Sequence, residues 1–260
     1  MRIARFTTGD DEPRFAAVGQ DADAETILAV LRGDPLYTPL ELTGEKVPLV
    51  DVRLVAPVLP RSKVIGVGRN YAAHASELGH DVPGEPLLFL KPNTSVIGPD
   101  EPIVLPPQST EIHHEAELAV VIGRLCKDVP ADRVAEVIFG YTCANDVTAR
   151  DLQKTDGQWA RAKGFDSFCP LGPWIETDLD PADLAVRCLV GDDVRQDGRT
   201  SQMIYDVAAL ITYISAAFTL LPGDVILTGT PAGVGPIRAG ESVSVAVEDI
   251  GTLTNPVTTS

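Results

Sequence analysis

The most constraining stretch of the chain is His113-His114-Glu115-Ala116-Glu117-Leu118-Ala119-Val120-Val121-Ile122-Gly123. Its apolar end, rich in β-branched residues and closed by Gly123, reads as a strand. Side chains alternate faces along a strand, so Glu115 and Glu117 point the same way, with His113 in line behind them. Two carboxylates on one face at the mouth of a buried strand repel each other and lose hydration, and a cation between them offsets both costs. A second apolar run, Ile138-Phe139-Gly140-Tyr141-Thr142-Cys143-Ala144, ends in Asn145-Asp146 and could bring a third carboxylate to the same place. From these residues alone two readings stand: an oxygen-ligated cation site, or a strand whose polar edge lies in water.

Composition removes several function classes. The formal net charge of −16 argues against nucleic acid, whose affinity rests on Lys and Arg neutralising phosphate. No basic amphipathic helix addresses an anionic membrane surface. Cys126, Cys143, Cys169 and Cys188 are scattered without a CxxC pair, so neither a zinc site of the usual spacing nor a disulfide framework is expected. Met1-Arg2-Ile3-Ala4-Arg5-Phe6 lacks the long apolar core of a signal peptide. The most apolar segment, Met203 to Leu221, carries Asp206 and stops at Pro222-Gly223, so it reads as a buried helix rather than a membrane span. A cytoplasmic location is expected.

The 260 residues suit one large domain or one domain with a smaller appendage. Residues 1–58 read as a small N-terminal α+β unit: strands at Ile3–Thr7 and Arg14–Val18 across the turn Gly9-Asp10-Asp11, then a short helix over Ala24–Arg32. Residues 59–260 read as the main domain. It opens with Lys63-Val64-Ile65-Gly66-Val67-Gly68-Arg69-Asn70-Tyr71, a strand into a glycine turn, and continues into a helix over Tyr71–Leu78 closed by Gly79. A GxGxxG fingerprint would need glycine at Tyr71, where a ring blocks the approach of pyrophosphate, so a nicotinamide dinucleotide is rejected; no GxxxxGK[ST] loop is present. Further strands are expected at Leu87–Lys91, Ile138–Ala144, Val225–Thr228 and Ser242–Val247, with a hairpin over Leu184–Gln196. A helix capped by Asp206 carries Val207, Leu210, Ile211, Ile214 and Phe218 on one stripe. Many strands between glycine and proline turns, with few helices, indicate an α+β fold built on sheet.

Six segments, in order, carry a resemblance: Gly68-Arg69-Asn70-Tyr71-Ala72-Ala73-His74, Phe89-Leu90-Lys91-Pro92, His114-Glu115-Ala116-Glu117-Leu118, Asn145-Asp146-Val147-Thr148-Ala149-Arg150-Asp151, Ala162-Lys163-Gly164-Phe165-Asp166, and Leu227-Thr228-Gly229-Thr230-Pro231. Together they resemble the fumarylacetoacetate hydrolase family, whose small bacterial members include acylpyruvate hydrolases and 2-hydroxyhepta-2,4-diene-1,7-dioate isomerases. The resemblance implies a β-rich catalytic domain of mixed sheets, a homodimer, and action on 2-keto and 2,4-diketo acids with Mg²⁺ or Mn²⁺. Glu115, Glu117 and Asp146 match the family's metal-binding carboxylates, and an all-oxygen set suits a hard ion.

By the same resemblance, Lys163 is an active-site lysine able to neutralise an enolate. Arg150 and Gln153 match the family's substrate-contacting pair, and Arg150 could instead brace Asp146. Arg69 is a further candidate for substrate binding, and Gly229-Thr230-Pro231 either presents the Thr230 hydroxyl and backbone N–H groups to a substrate oxygen or is only a tight β turn. His74 and Glu77 stand three apart on the predicted helix and share a face. In the hydrolase members such a pair activates water, Glu holding the imidazole while His takes the proton. The larger animal hydrolases carry a long N-terminal domain and an upstream metal-binding aspartate with no counterpart in residues 1–58, so fumarylacetoacetate itself is not the expected substrate. The leading expectation is Mg²⁺-dependent cleavage of the C–C bond of an acylpyruvate. An isomerase or decarboxylase of hydroxyheptadienedioate-like compounds or oxaloacetate is the family alternative, and a non-catalytic keto-acid binding module the alternative from another class.

Overall fold

The computed structural model describes residues 1–9, 11–77 and 83–260. The apolar run identified above becomes the strand Ala116–Ile122, buried at every position. A strand buried on both faces needs a packed layer on each side. Leu118, Val120 and Ile122 enter one hydrophobic core, while Ala119 and Val121 enter a second core with Val64, Leu171 and Val225. The period of two therefore divides one strand between two interiors.

This strand lies inside a 12-stranded mixed sheet. It pairs antiparallel with Ile138–Asn145 on one side and Val225–Leu227 on the other. Val225–Leu227 in turn runs parallel to Val64–Gly68, which pairs antiparallel with Leu87–Lys91. A five-stranded sheet of Asp193–Arg199, Ala185–Val190, Ser242–Val247, Gly251–Thr259 and Ile103–Leu105 closes the larger core. A three-stranded sheet joins Thr148–Ala149, Ile112–His114 and Gly235–Pro236. The described residues hold four α-helices: Ala72–Glu77, Arg150–Asp156, Ala160–Gly164 and Val207–Ala217. Asp206 caps the last, its Oδ1 accepting from Ala209 N at 2.8 Å, and Leu210, Ile211 and Ile214 bury its inner face. Among the described residues no helix is long and apolar enough to cross a membrane.

The N-terminal helix expected over Ala24–Arg32 is a strand, Thr26–Leu31, paired antiparallel with Arg14–Gln20. Alternate burial at Leu28 and Val30, with β-branched Thr26, Ile27 and Val30, outweighs the helix preference of Ala29 and Leu31. With Leu42–Pro48 added beside it, residues 1–58 form a sheet extension without an α-helix among the described residues, rather than an α+β unit. The strand Arg2–Thr7 pairs with Cys169–Glu176, so these strands continue the large sheet. Asp10 in the expected turn, the helix end at Leu78 and Gly79, and His80 lie outside the described residues.

Candidate functional site

The polypeptide changes sheets at Glu115. Ile112–His114 belongs to the three-stranded sheet and Ala116–Ile122 to the large one, with Glu115 at the junction. Glu115 N donates to Asn145 Oδ1 at 2.9 Å, and Asp146 N donates to Glu115 O at 2.9 Å. The register Ala116↔Asn145 then sets the end of one strand against the start of the other. Glu115, Glu117 and Asp146 are thereby brought together, each buried, with one oxygen from each within 4.8 Å of the others. His113, expected behind them, instead lies beside Glu111, Nε2 to Oε1 at 3.3 Å.

Three buried carboxylates are tolerable only with compensating charge. Lys163 Nζ donates to Glu115 Oε2 at 2.8 Å and to Asp146 Oδ2 at 2.5 Å. Lys91 Nζ donates to Asp146 Oδ1 at 2.5 Å, and Arg150 donates to Glu115 Oε1. Burial acts to raise the Glu115 carboxyl, but Lys163 and Arg150 overcome it and hold the group far below the usual range. Burial likewise acts against the Lys163 ammonium, yet Asp146 and Glu115 raise it above its ordinary value.

Glu117 differs. It receives Gly229 N–H at 2.6 Å and has no ion-pair partner among the described residues. Burial first, then Asp146 and Glu115, pushes its carboxyl well above the ordinary range. A proton or a further cation is what this group demands. Three converging carboxylates, one of them uncompensated, fit a hard divalent ion, and the residues that would hold it are Glu115, Glu117 and Asp146.

Glu115 and Glu117 face a cavity of about 320 Å³ whose lining also includes Arg69, His74, Arg150, Gln153, Lys163 and Thr230, while Asp146 lies behind it. Asn70 fixes the turn that presents Arg69: its Nδ2 donates to Thr228 O at 2.8 Å and Tyr205 O at 2.9 Å, and its Oδ1 accepts from Tyr205 N at 2.9 Å. Arg69 itself sits in the left-handed region at φ 58°. His74 is buried, its Nδ1 lying 3.4 Å from Glu77 Oε2, and burial lowers its imidazole below the ordinary value. Glu77 stands outside the cavity lining and also accepts from Gly233 N at 3.1 Å. Arg150 braces Glu115, not Asp146, and donates to Gln153 Oε1 at 2.6 Å. Thr230 donates its hydroxyl proton to Ala116 O at 2.8 Å, so toward a substrate it can only accept.

Sequence reasoning quoted Lys91 only within the Phe89-Leu90-Lys91-Pro92 segment and gave it no role, and it passed over Trp159 and Lys154. Lys91 closes an ordinary-looking strand and meets Asp146 only through the fold, while Trp159 and Lys154 line the cavity from the segment around Gly157. Lys91→Met leaves Asp146 with one cation instead of two. Breaking a buried pair on one side typically costs about 3–5 kcal/mol, and urea denaturation of the metal-free protein should show a loss of that order.

Residues 63–258 match the family model described as fumarylacetoacetate (FAA) hydrolase, C-terminal, and residues 1–57 match one described as Rv2993c-like, N-terminal. The chain is 54% identical to a 5-carboxymethyl-2-hydroxymuconate delta-isomerase from Mycobacterium smegmatis, whose crystal structure superposes with a TM-score of 0.92 over 100% of both chains. The maleylpyruvate hydrolase of Sphingobium sp. SYK-6, solved in complex with manganese(II) ion and pyruvate, is 34% identical with a TM-score of 0.80, covering 100% of this chain and 99% of that one. Human mitochondrial oxaloacetate tautomerase FAHD2A is 43% identical over 222 residues, 81% of this chain and 71% of its own length.

Proposed function

The chain belongs to the fumarylacetoacetate hydrolase family, and from that premise we propose that it hydrolyses the C–C bond of an acylpyruvate with the help of a divalent ion, Mg²⁺ or Mn²⁺. The observation that carries this is the convergence of Glu115 and Glu117, two of the three clustered acids, and a buried, Glu-supported histidine on one cavity. An ion held by Glu115, Glu117 and Asp146 would supply Lewis acidity to the carboxylate and 2-keto oxygens of the substrate. Lys163 stays protonated and balances the charge that develops on the 2-oxygen as an enolate forms. His74, kept neutral by burial, takes a proton from water, and Glu77 holds its Nδ1–H. Water adds to the distal carbonyl, the C3–C4 bond breaks, and its electron pair becomes the enolate of pyruvate. Protonation at C3 releases pyruvate, and the acyl fragment leaves as a carboxylic acid.

Arg69 and Gln153 line the part of the cavity that would meet the rest of the substrate, with Arg150 steadying Gln153 and Thr230 offering an acceptor oxygen. Residues 59–260, the catalytic domain, contribute all of these groups, and the N-terminal unit of residues 1–58 contributes none. A cytoplasmic homodimer acting on small keto acids completes the proposal.

A second reading, isomerisation or tautomerisation through the same enolate, is favoured by the division of Glu77 between His74 and Gly233 N and by the names of the isomerase and tautomerase relatives. Metal-free protein assayed on acylpyruvates, 2-hydroxydienoates and oxaloacetate, with Mg²⁺, Mn²⁺ or chelator, separates the readings. We expect metal-dependent release of pyruvate and acid. Enol–keto interconversion without bond cleavage would replace the hydrolase reading with the second, and binding without turnover would reduce the protein to a keto-acid binding module.

A further inference from the structure

The strand Asp193–Arg199 is exposed along most of its length but turns Gln196 and Gly198 inward. It belongs to the five-stranded sheet, not to the sheet that carries the acids. Gln196 is nevertheless buried against the start of the Ala116–Ile122 strand and uses its whole hydrogen-bonding capacity there. Its Oε1 accepts from Ala116 N at 2.9 Å and faces His114 Nδ1 at 3.0 Å. Its Nε2 donates to Thr230 Oγ1 at 2.7 Å and to Pro231 O at 2.7 Å. Ala116 N–H can only donate and Pro231 O can only accept, so the carboxamide has one permitted orientation. That orientation makes His114 Nδ1 the protonated ring nitrogen.

These contacts join two parts of the candidate metal centre. Ala116 is the residue between Glu115 and Glu117, and its N–H and C=O are taken by Gln196 and by Thr230. Thr230 follows Gly229, whose N–H holds the Glu117 carboxylate. Gly229 can approach because it lacks a side chain: at φ 99° a Cβ would stand 2.7 Å from Asn70 Cβ. The Gln196 strand and the Thr230–Gly233 loop pack backbone to backbone, since a Cβ on Gly233 would lie 2.1 Å from Arg195 O and one on Gly198 would lie 2.5 Å from Pro231 Cβ. The same loop anchors Glu77 through Gly233 N.

We propose that Gln196 is a positioning residue of the divalent-metal centre: its carboxamide locks the peptide between Glu115 and Glu117 to the Gly229–Pro231 loop that orients Glu117. The inference rests on the metal reading of the triad. Gln196 touches none of the acids' oxygens and meets the cavity lining only at Thr230, so its effect runs through Ala116, Thr230 and Gly229.

Two variants of the full chain test it. Gln196→Leu keeps the bulk and removes all four polar contacts. Gln196→Glu keeps acceptors for Ala116 and His114 but sets an oxygen against Pro231 O. The probe is Mn²⁺ alone, titrated calorimetrically into metal-free protein, with amide exchange of Gly229 and Ala116 read in parallel. We expect each variant that folds to bind Mn²⁺ at least about tenfold more weakly, the range typical of lost partners behind metal ligands, and to exchange the Gly229 amide faster. In wild-type protein Mn²⁺ should slow exchange at Gly229 and Ala116, a measurement that needs no variant to fold. Unchanged Mn²⁺ affinity in a folded variant, or exchange at Gly229 and Ala116 indifferent to Mn²⁺ in wild-type protein that binds the ion, overturns the role of Gln196 while leaving the metal reading intact. Wild-type protein that binds no Mn²⁺ overturns the metal reading and the positioning role with it.

Discussion

Glu117→Gln is expected to leave the metal-free protein at least as stable as the wild type near neutral pH, while lowering metal-dependent turnover by about a hundredfold or more, at least the loss typical of removing a partner behind a metal ligand. The glutamine oxygen still accepts from Gly229 N–H, and the substitution removes the one buried acid of the triad without an ion-pair partner among the described residues. Because the folded-state value of Glu117 is raised, the native chain holds a proton that the unfolded chain, titrating near 4.5, has already lost. Metal-free stability should therefore fall as pH rises from there through the raised value. Glu117→Gln should flatten that descent, and Mn²⁺ should reverse it in the wild type.

Glu115→Ala is expected to behave oppositely. Its carboxylate is held low by Lys163 and Arg150, and removing it leaves buried Arg150 without a carboxylate and Lys163 with Asp146 alone, at a cost of about 3–5 kcal/mol. Urea denaturation across pH with chelator present, alongside Mn²⁺ titration, measures both variants. Equal destabilisation by the two, or chelator-insensitive turnover in Glu117→Gln, would mean that the three acids do not divide the roles of compensated and uncompensated ligand.

What could be read from the sequence follows the range of the forces involved. Glu115 and Glu117 were legible because a strand period places them together, and Asp146 because the apolar run before it has the length of a neighbouring strand. Lys163, Arg150 and Gln153 were legible only through the family motifs, since nothing in their spacing says that the Arg150–Asp156 and Ala160–Gly164 helices pack over the triad. Lys91 and Gln196 reach the centre through sheet order: Lys91 ends a strand three places from Ala116–Ile122, and Gln196 comes from another sheet. No local pattern marks a lysine or glutamine that meets its partner 55 or 80 residues away. The misread Thr26–Leu31 segment has the same origin, because its pairing with Arg14–Gln20 and Leu42–Pro48 decides a stretch whose local propensities are divided.

His74→Ala is expected to separate the two chemistries that the centre can support. Hydrolysis needs water deprotonated next to the distal carbonyl, and the loss of a positioned base typically costs about 10²–10⁴ in rate. Decarboxylation of oxaloacetate needs only charge stabilisation at the 2-oxygen, a task of Lys163 and the triad that His74 does not share. The variant should thus lose acylpyruvate hydrolysis while keeping decarboxylation near the wild-type rate. The pH profile supplies an independent check. Burial lowers the His74 imidazole below 6.5, so the base is already competent at neutral pH and the acid limb of kcat/KM should fall below that value. Removing His74 should erase that limb from whatever hydrolysis remains. Glu77→Gln, which weakens the hold on Nδ1 and on Gly233, should lower kcat less than His74→Ala does. Loss of hydrolysis and decarboxylation in equal proportion would remove the base assignment and place His74 among the groups that shape the cavity.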